Sequence, residues 1–293
     1  MAEVTAAMVK ELREATGLGM MECKRALTEA SGDLKKAEEI LRIKSGAKAS
    51  KVASRVAAEG AIALQVAQDG KTGSLVEVNC ETDFVAKDAA FTEFARAVAQ
   101  VAAERASADI DTLSGEMLPS GQSIDAARQA LVGRLGENVT LRRVVCVRAQ
   151  GRLGSYLHGS RIGVLVDYSG GDDALGKDLA MHIAASKPVA LVRDEVAPEL
   201  IERERAIARA RAVESGRPEN LLDKIVDGAV GKYLSEVTLF GQVFVKDEKL
   251  TIEKLLKNRS ANVHAFYLFV LGEGIEKKKS DFVAEVLAAA GQA

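Results

Sequence analysis

The chain has no tryptophan, four tyrosines and eight phenylalanines, so aromatics make up only 4% of its 293 residues. Alanine is frequent instead, which favours helices with thin, close-packed interfaces over a core built on large rings. Cysteine is equally sparse: Cys23, Cys80 and Cys146 lie far apart, with no C-x-x-C pair. That spacing argues against a disulfide framework and against a zinc ribbon, and suits a reducing cytosol. There is no H-E-x-x-H, no G-x-S-x-G and no G-x-x-x-x-G-K-[ST], so none of the common zinc-protease, hydrolase or phosphate-loop chemistries is signalled. Long hydrophobic runs are also missing. The longest, Val263 to Leu271, includes His264 and is too short to span a bilayer. The N-terminal residues carry acids without a continuous apolar stretch, unlike a signal peptide. Nor does one sign of charge prevail: 40 basic and 42 acidic residues leave a net charge of −2. The broad basic footprint of a nucleic-acid-binding surface is therefore lacking. These absences predict a cytoplasmic protein without a direct nucleic-acid or membrane partner.

What is present is periodicity. The length allows two or three compact units. Val4, Met8 and Leu12 share one helical face that ends at Gly17; Met20, Cys23, Leu27 and Ala30 share the next, ending at Gly32. Asp33 can cap a third helix carrying Leu34, Ala37, Ile40 and Leu41 and closed by Gly46. Lys48 to Arg55, basic and rich in small residues, is expected to be a linker. Residues 60–80 alternate about Asp69-Gly70 and Gly73 as a β-hairpin would. A helix is expected from Phe91 to about Glu104, where Phe91, Phe94, Ala95, Val98 and Val101 recur at helical spacing. A loop over 105–123 follows, then a helix capped by Ser123 and ended by Gly136-Glu-Asn138.

The pattern then repeats. Val139 to Val147 and Val164 to Tyr168 read as strands, and Leu175, Leu179 and Ile183 mark a helix stopped at Lys187-Pro188. Leu75-Val-Glu-Val echoes Val164-Leu-Val-Asp, and Ala99-Gln-Val-Ala-Ala103 echoes Met181-His-Ile-Ala-Ala185. Strand signals vanish from Ala197 to about Ser235, where two helical patterns meet at Ser215-Gly-Arg-Pro218 and must run antiparallel. Val237 to Val245 and Val263 to Leu271 return to strand composition around a helix at Ile252 to Leu256. A terminal amphipathic helix is expected at Asp281 to Leu287.

The expected fold class is α+β. An N-terminal three-helix module and linker occupy 1–55, and a first α+β core unit 56–140. A second, related unit with an antiparallel sheet takes 141–190 and 236–276, with a helical hairpin inserted at 191–235. A C-terminal helical module closes the chain at 277–293.

One stretch stands apart, Thr82-Asp83-Phe84-Val85-Ala86 between a strand and the long helix. Asp83 can serve as a helix cap and Phe84 as a core anchor. Alternatively, Phe84 need not point into the core. The best enzymatic alternative is Cys80 as a nucleophile with His158 as base, but Glu81 and Asp83 beside it would raise the thiol pKa. His182 and His264 sit in apolar surroundings that suit packed, hydrogen-bonded histidines. His158, flanked by glycine, is the one placed for a surface role.

Thr82-Asp83-Phe84-Val85-Ala86-Lys87-Asp88 resembles the signature of the bacterial elongation factor Ts family, nucleotide-exchange factors for the GTPase elongation factor Tu. Thr16-Gly-Leu-Gly-Met-Met-Glu-Cys-Lys24 resembles the family's N-terminal module. Gly136-Glu-Asn138, His158 to Val166, Met181 to Pro188, Gly272 to Glu276 and Asp281 to Ala284 extend the similarity in order along the chain. The resemblance implies that the N-terminal module and C-terminal helix grip the partner's nucleotide-binding domain. Asp83 and Phe84, flanked by Thr82 and Val85, would then enter between helices near its magnesium and phosphate site. It further implies contacts at or near His158 and Leu135-Gly136, with Lys24 and Lys51 as outlying candidates. No cofactor and no covalent chemistry are expected. Against this stands a scaffold protein that binds partners without affecting nucleotide. Whether the chain forms a homodimer, a one-to-one or a two-to-two complex stays open.

Overall fold

The computed structural model of the chain describes residues 4–276. Three helices open it, α1 (Ala6–Thr16), α2 (Met20–Glu29) and α3 (Leu34–Val52). Thr5 and Asp33 cap the first and third by accepting the N–H of Met8 and Lys36. Leu12, Leu18, Cys23, Leu27, Ala37 and Leu41 close a small core among them. Met20, expected on the buried face, is instead 58% exposed, as is Met21 beside it.

The first unit consists of β1 (Glu59–Val66), β2 (Thr72–Cys80), a single helical turn α4 (Asp83–Ala86), α5 (Ala89–Arg105), α6 (Ile110–Gly115), α7 (Ile124–Leu135) and β3 (Thr140–Arg148). The second holds β4 (Arg152–His158), β5 (Ile162–Ser169), α8 (Asp173–Ser186), the hairpin α9 (Pro198–Glu214) and α10 (Glu219–Val237), then β6 (Val243–Phe244), β7 (Asp247–Thr251), α11 (Ile252–Asn258) and β8 (Asn262–Val270). Each unit has one three-stranded antiparallel sheet, ordered β1-β2-β3 and β4-β5-β8. The recurring path is therefore hairpin, helix, then a third strand returning beside the second. The α+β class is observed.

Strand alternation explains the layers. Val76, Val78 and Cys80 face α5, while Leu75 faces the opposite way. In the second unit Val164, Val166 and Tyr168 face α8, and Leu165 meets Leu75 in a core between the sheets. The two sheets thus lie back to back with a helix outside each. A strand buried on both faces reads as a nearly continuous apolar run.

Several expectations change. The strand at 139–147 does not open the second unit: β3 hydrogen-bonds β2 and completes the first sheet, so the expected division at 140/141 falls at the start of this strand. The loop over 105–123 contains α6. The strand expected over 237–245 shrinks to the two residues of β6 after α10 ends. Most of the linker expected at 48–55 is helix, because α3 continues through Gly46 to Val52 and only residues 53–58 join it to β1. Gly46 serves packing instead. A Cβ there would lie 2.7 Å from the Gln129 side chain, and one on Gly133 would lie 2.4 Å from Ser45 Oγ. The pair lets α3 lie close against α7, so a helix joins the module to the core.

The hairpin forms as expected, with cross-helix ion pairs Arg205–Asp227 at 2.8 Å and Arg209–Asp223 at 3.1 Å. Its own apolar seam is short, centred on Ala208, Val226 and Val230. Among the described residues, no helix is long and apolar enough to cross a membrane. The expected C-terminal helix at Asp281–Leu287 and the module at 277–293 lie outside the described residues.

Candidate functional site

β2 ends at Cys80, and the chain must turn before it can enter α5. Thr82 makes the turn. Its backbone is extended, at φ −120° and ψ 157°, and its Oγ1 accepts the Val85 N–H at 3.3 Å. Val85 and Ala86 then face the core of the first unit. In a helix successive side chains diverge by about 100°, so burying Val85 and Ala86 turns Phe84 outward. Phe84 is 81% exposed, the most exposed large apolar side chain among the described residues. Asp83 pairs with Lys87 at 2.6 Å, and this hydrogen bond holds its carboxyl below the usual range. Asp88 caps α5 by accepting the N–H groups of Ala90 and Phe91. The alternative of Asp83 as cap and Phe84 as anchor is thus corrected: Thr82 caps and Val85 anchors.

The turn is braced from the loop after α7. Gly136 takes the left-handed conformation at φ 77°, which ends the helix and redirects the next two residues. The Glu137 carboxylate then accepts three hydrogen bonds. They come from the backbone N–H of Glu81 (3.1 Å) and Thr82 (2.9 Å), and from the Thr82 hydroxyl (2.6 Å). Reciprocally, the Asn138 N–H donates to Glu81 Oε1 at 2.6 Å. The Asn138 side-chain amide donates to the carbonyls of Ala53 (3.3 Å) and Arg55 (2.8 Å), just beyond α3. The structure therefore brings Thr82 and the Leu135-Gly136 segment together and fastens both to the end of the N-terminal module. Leu135 itself is half-buried against the first core.

The other candidates lie farther out. His158 ends β4, exposed, with Tyr156 Oη 3.1 Å from its Nδ1. The turn after it docks on the first unit. Ile62 N–H donates to the Ser160 carbonyl at 2.8 Å, and Arg161 pairs with Glu59, which lies opposite Cys80 in the sheet. Lys51 is exposed in the last turn of α3, two residues before the Ala53 carbonyl that Asn138 binds. Lys24 is exposed on α2, among Met20, Met21 and Arg13 around a cleft of the N-terminal module.

The nucleophile alternative loses its premise. Cys80 is buried, and burial followed by the charges of Glu137 and Glu59 pushes its thiol up to about 12, so it stays protonated at neutral pH. His182 is a packed residue, fully buried, with Nε2 3.0 Å from Gln242 Oε1 and Nδ1 accepting the Val245 N–H. Burial keeps its pKa below the ordinary value, against the smaller opposite effect of Gln242. His264 Nε2 lies 3.0 Å from Ser169 Oγ.

Two acids carry roles that the sequence reading did not assign. Glu137 and its neighbour Asn138 look like ordinary residues after a helix end. Glu77 hides in a strand, yet it is fully buried between the sheets. Its Oε2 accepts from Arg143 at 2.6 Å, and its Oε1 from Arg142 at 2.9 Å and from Gly272 N–H at 2.8 Å. A signal existed for Glu77: an acid flanked by valines in a run otherwise buried on both faces.

The family model described as Elongation factor TS matches residues 81–273, from the residue before Thr82 to just past β8. The elongation factor Ts of Nitrosospira multiformis is 58% identical over 296 residues, covering 100% of this chain and 98% of that protein. That of Aromatoleum aromaticum is 60% identical over 294 residues, covering 100% and 99%. That of Chromobacterium violaceum is 54% identical over 290 residues, covering 99% of each. A braced α+β core with this similarity is that of a translation elongation factor, a protein of biosynthesis. The chain belongs to the elongation factor Ts family.

Proposed function

We propose that this chain is a guanine-nucleotide exchange factor that binds elongation factor Tu in the cytoplasm and promotes GDP release, so that GTP can rebind during elongation. The observation that carries the proposal is Phe84, held 81% exposed on a turn whose two ends are locked. Covering this exposed ring with a partner removes its apolar surface from water, which favours the complex. A Phe side chain entering an apolar pocket contributes roughly 1.5–3 kcal/mol, enough to hold two helices apart. Asp83, kept ionised beside it, suits the exposed N–H groups at the start of a partner helix.

In this reading Asp83-Phe84 wedges close to the magnesium and phosphate site of the partner and weakens its hold on GDP. Linkage then requires nucleotide to weaken binding of this chain by the same factor. The N-terminal module supplies a grip, with Met20 and Met21 exposed beside Lys24. His158, the Leu135-Gly136 segment and Lys51 would add further contacts to the partner. No proton transfer or nucleophile is needed, so the action involves no covalent chemistry.

The test is release of fluorescent GDP from cognate elongation factor Tu by wild type and Phe84→Ala, with circular dichroism on both. Rapid release by wild type and at least a tenfold loss in a folded mutant, on the order of the burial term above, supports the wedge. Equal rates would assign exchange to other contacts. No acceleration by wild type would leave only partner binding without exchange, the work of a scaffold.

A further inference from the structure

The wedge proposed above is a single helical turn, and a turn of four residues has no stability of its own. Something outside it must hold Phe84 in one orientation. Val85 and Ala86 anchor its underside in the core, but anchoring two residues does not fix where the turn begins. The start is fixed at Thr82, whose backbone N–H, hydroxyl and preceding N–H all end on one carboxylate. Thr82 Oγ1 donates to Glu137 and accepts from Val85 N–H. Glu137 thereby orients the very hydroxyl that caps the turn.

We propose that Glu137 is the positioning residue of the exchange wedge: through Thr82 it holds the Asp83-Phe84 turn in its outward, partner-ready conformation before the partner arrives. The proposal rests on the wedge reading for its functional consequence, although the ordering it describes belongs to the free protein. Glu137 is far from Phe84 in sequence and sits on a different element, and its three hydrogen bonds to Glu81 and Thr82 connect it to the turn. The loop that carries it is itself held by Asn138 to the carbonyls of Ala53 and Arg55. The brace is thus rigid on its far side, as pre-organisation requires.

Removing the brace should leave the wedge residues in place but populate other orientations of the turn. If the competent fraction falls to about one tenth, the apparent affinity for the partner falls about tenfold while the release rate at saturation is kept. A merely structural role would lower the melting temperature without this split. Glu137→Gln separates the two further. Its amide oxygen can accept both backbone N–H groups and its NH2 can donate to Thr82 Oγ1, so the geometry survives without the charge.

The chain has no tryptophan, so Phe84→Trp places one fluorophore at the wedge of the full-length protein. In that background, Glu137→Ala should lower the anisotropy of the free protein and Glu137→Gln should retain it. In the native Phe84 background, the half-saturating concentration for GDP release should rise about tenfold with Ala and little with Gln. Should Glu137→Ala not fold, Thr82→Val removes the bridging hydroxyl and should shift both readouts in the same direction by less. Unchanged anisotropy in a folded brace variant overturns the proposal, as does equal damage by Gln and Ala. Failure of the wedge reading looks different: Phe84→Ala would exchange normally while the anisotropy still answered to Glu137.

Discussion

The two core units are the same path drawn twice, and one telling difference lies where a strand hands over to a helix. In both, the central strand carries a leucine towards the other sheet, a buried acid two residues later, and a break in register directly after that acid. In the first unit these are Leu75, Glu77 and the break at Glu77/Val78; in the second they are Leu165, Asp167 and the break at Asp167/Tyr168. Beyond that point they part. The second unit crosses from β5 to α8 by Gly170, Gly171 and the capping Asp172. The first spends residues 81–88 on the same crossing, and that insertion is α4 with its exposed aromatic. The shared path is scaffold, and at this crossing what distinguishes the first unit is one added turn.

The acids differ too. Asp167 serves its own unit, accepting the N–H groups of Gln150 and Gly151 at 2.8 and 3.1 Å. Glu77 reaches across to Gly272 beyond β8 and, with Arg142 and Arg143, ties one unit to the other. Removing it should have the largest effect. Glu77→Ala removes the acceptor shared by the Gly272 N–H and two part-buried arginines, which keep contacts to Val270 and Glu273, and should cost about 3 kcal/mol, measured by urea unfolding. Burial pushes the Glu77 carboxyl up, but the hydrogen bonds from Gly272, Arg142 and Arg143 outweigh it and leave the pKa below the ordinary value. The folded-state pKa is therefore the lower one. The stability Glu77 contributes is complete above the ordinary glutamate range and is lost as pH falls through the folded value. Wild type should lose stability there, and Glu77→Ala should show a flatter acid limb.

The second comparison to break is helix against sheet. In the first unit the contact is a hydrogen bond, Ser74 Oγ to the Ala99 carbonyl at 2.6 Å. In the second, Gly154 on β4 meets the backbone of α8 directly, and a Cβ there would fall 2.4 Å from the Gly176 carbonyl oxygen. Gly154→Val must push α8 outward and should cost about 1–3 kcal/mol in the same assay. The smallest effect sharpens the point about the added turn. Phe84→Ala should change unfolding stability by no more than about 0.5 kcal/mol, because the side chain touches little within the chain, even though it removes the proposed wedge.

Much of this was legible in the residues. Period and capping marked α1, α2, α5, α7, α8 and the hairpin, because those helices bury one face and carry their own stop signals. The doubled unit was visible as well, but its echo was aligned one residue out. Pairing Leu75-Val-Glu-Val with Val164-Leu-Val-Asp put Glu77 against Val166, whereas the faces and register breaks pair it with Asp167. Strands buried on both sides lose the alternation that would have fixed the phase, and a slip of one residue exchanges the faces. Gly46 misled for a related reason. A glycine that admits a neighbouring helix and one that ends a helix are the same letter.

By itself the sequence determined what local chemistry can determine: which segments are helices or strands, that residues 82–86 break between two of them, and to which family the chain is similar. Tertiary structure decided the direction of Phe84, the partner of β3 and the roles of Glu77 and Glu137. Each of these depends on groups that meet from distant parts of the chain. Glu137 lies 55 residues from Thr82, and Glu77 lies 195 from Gly272. Periodicity describes an element's faces, but only packing says what covers them, and for Phe84 the fold leaves that face uncovered.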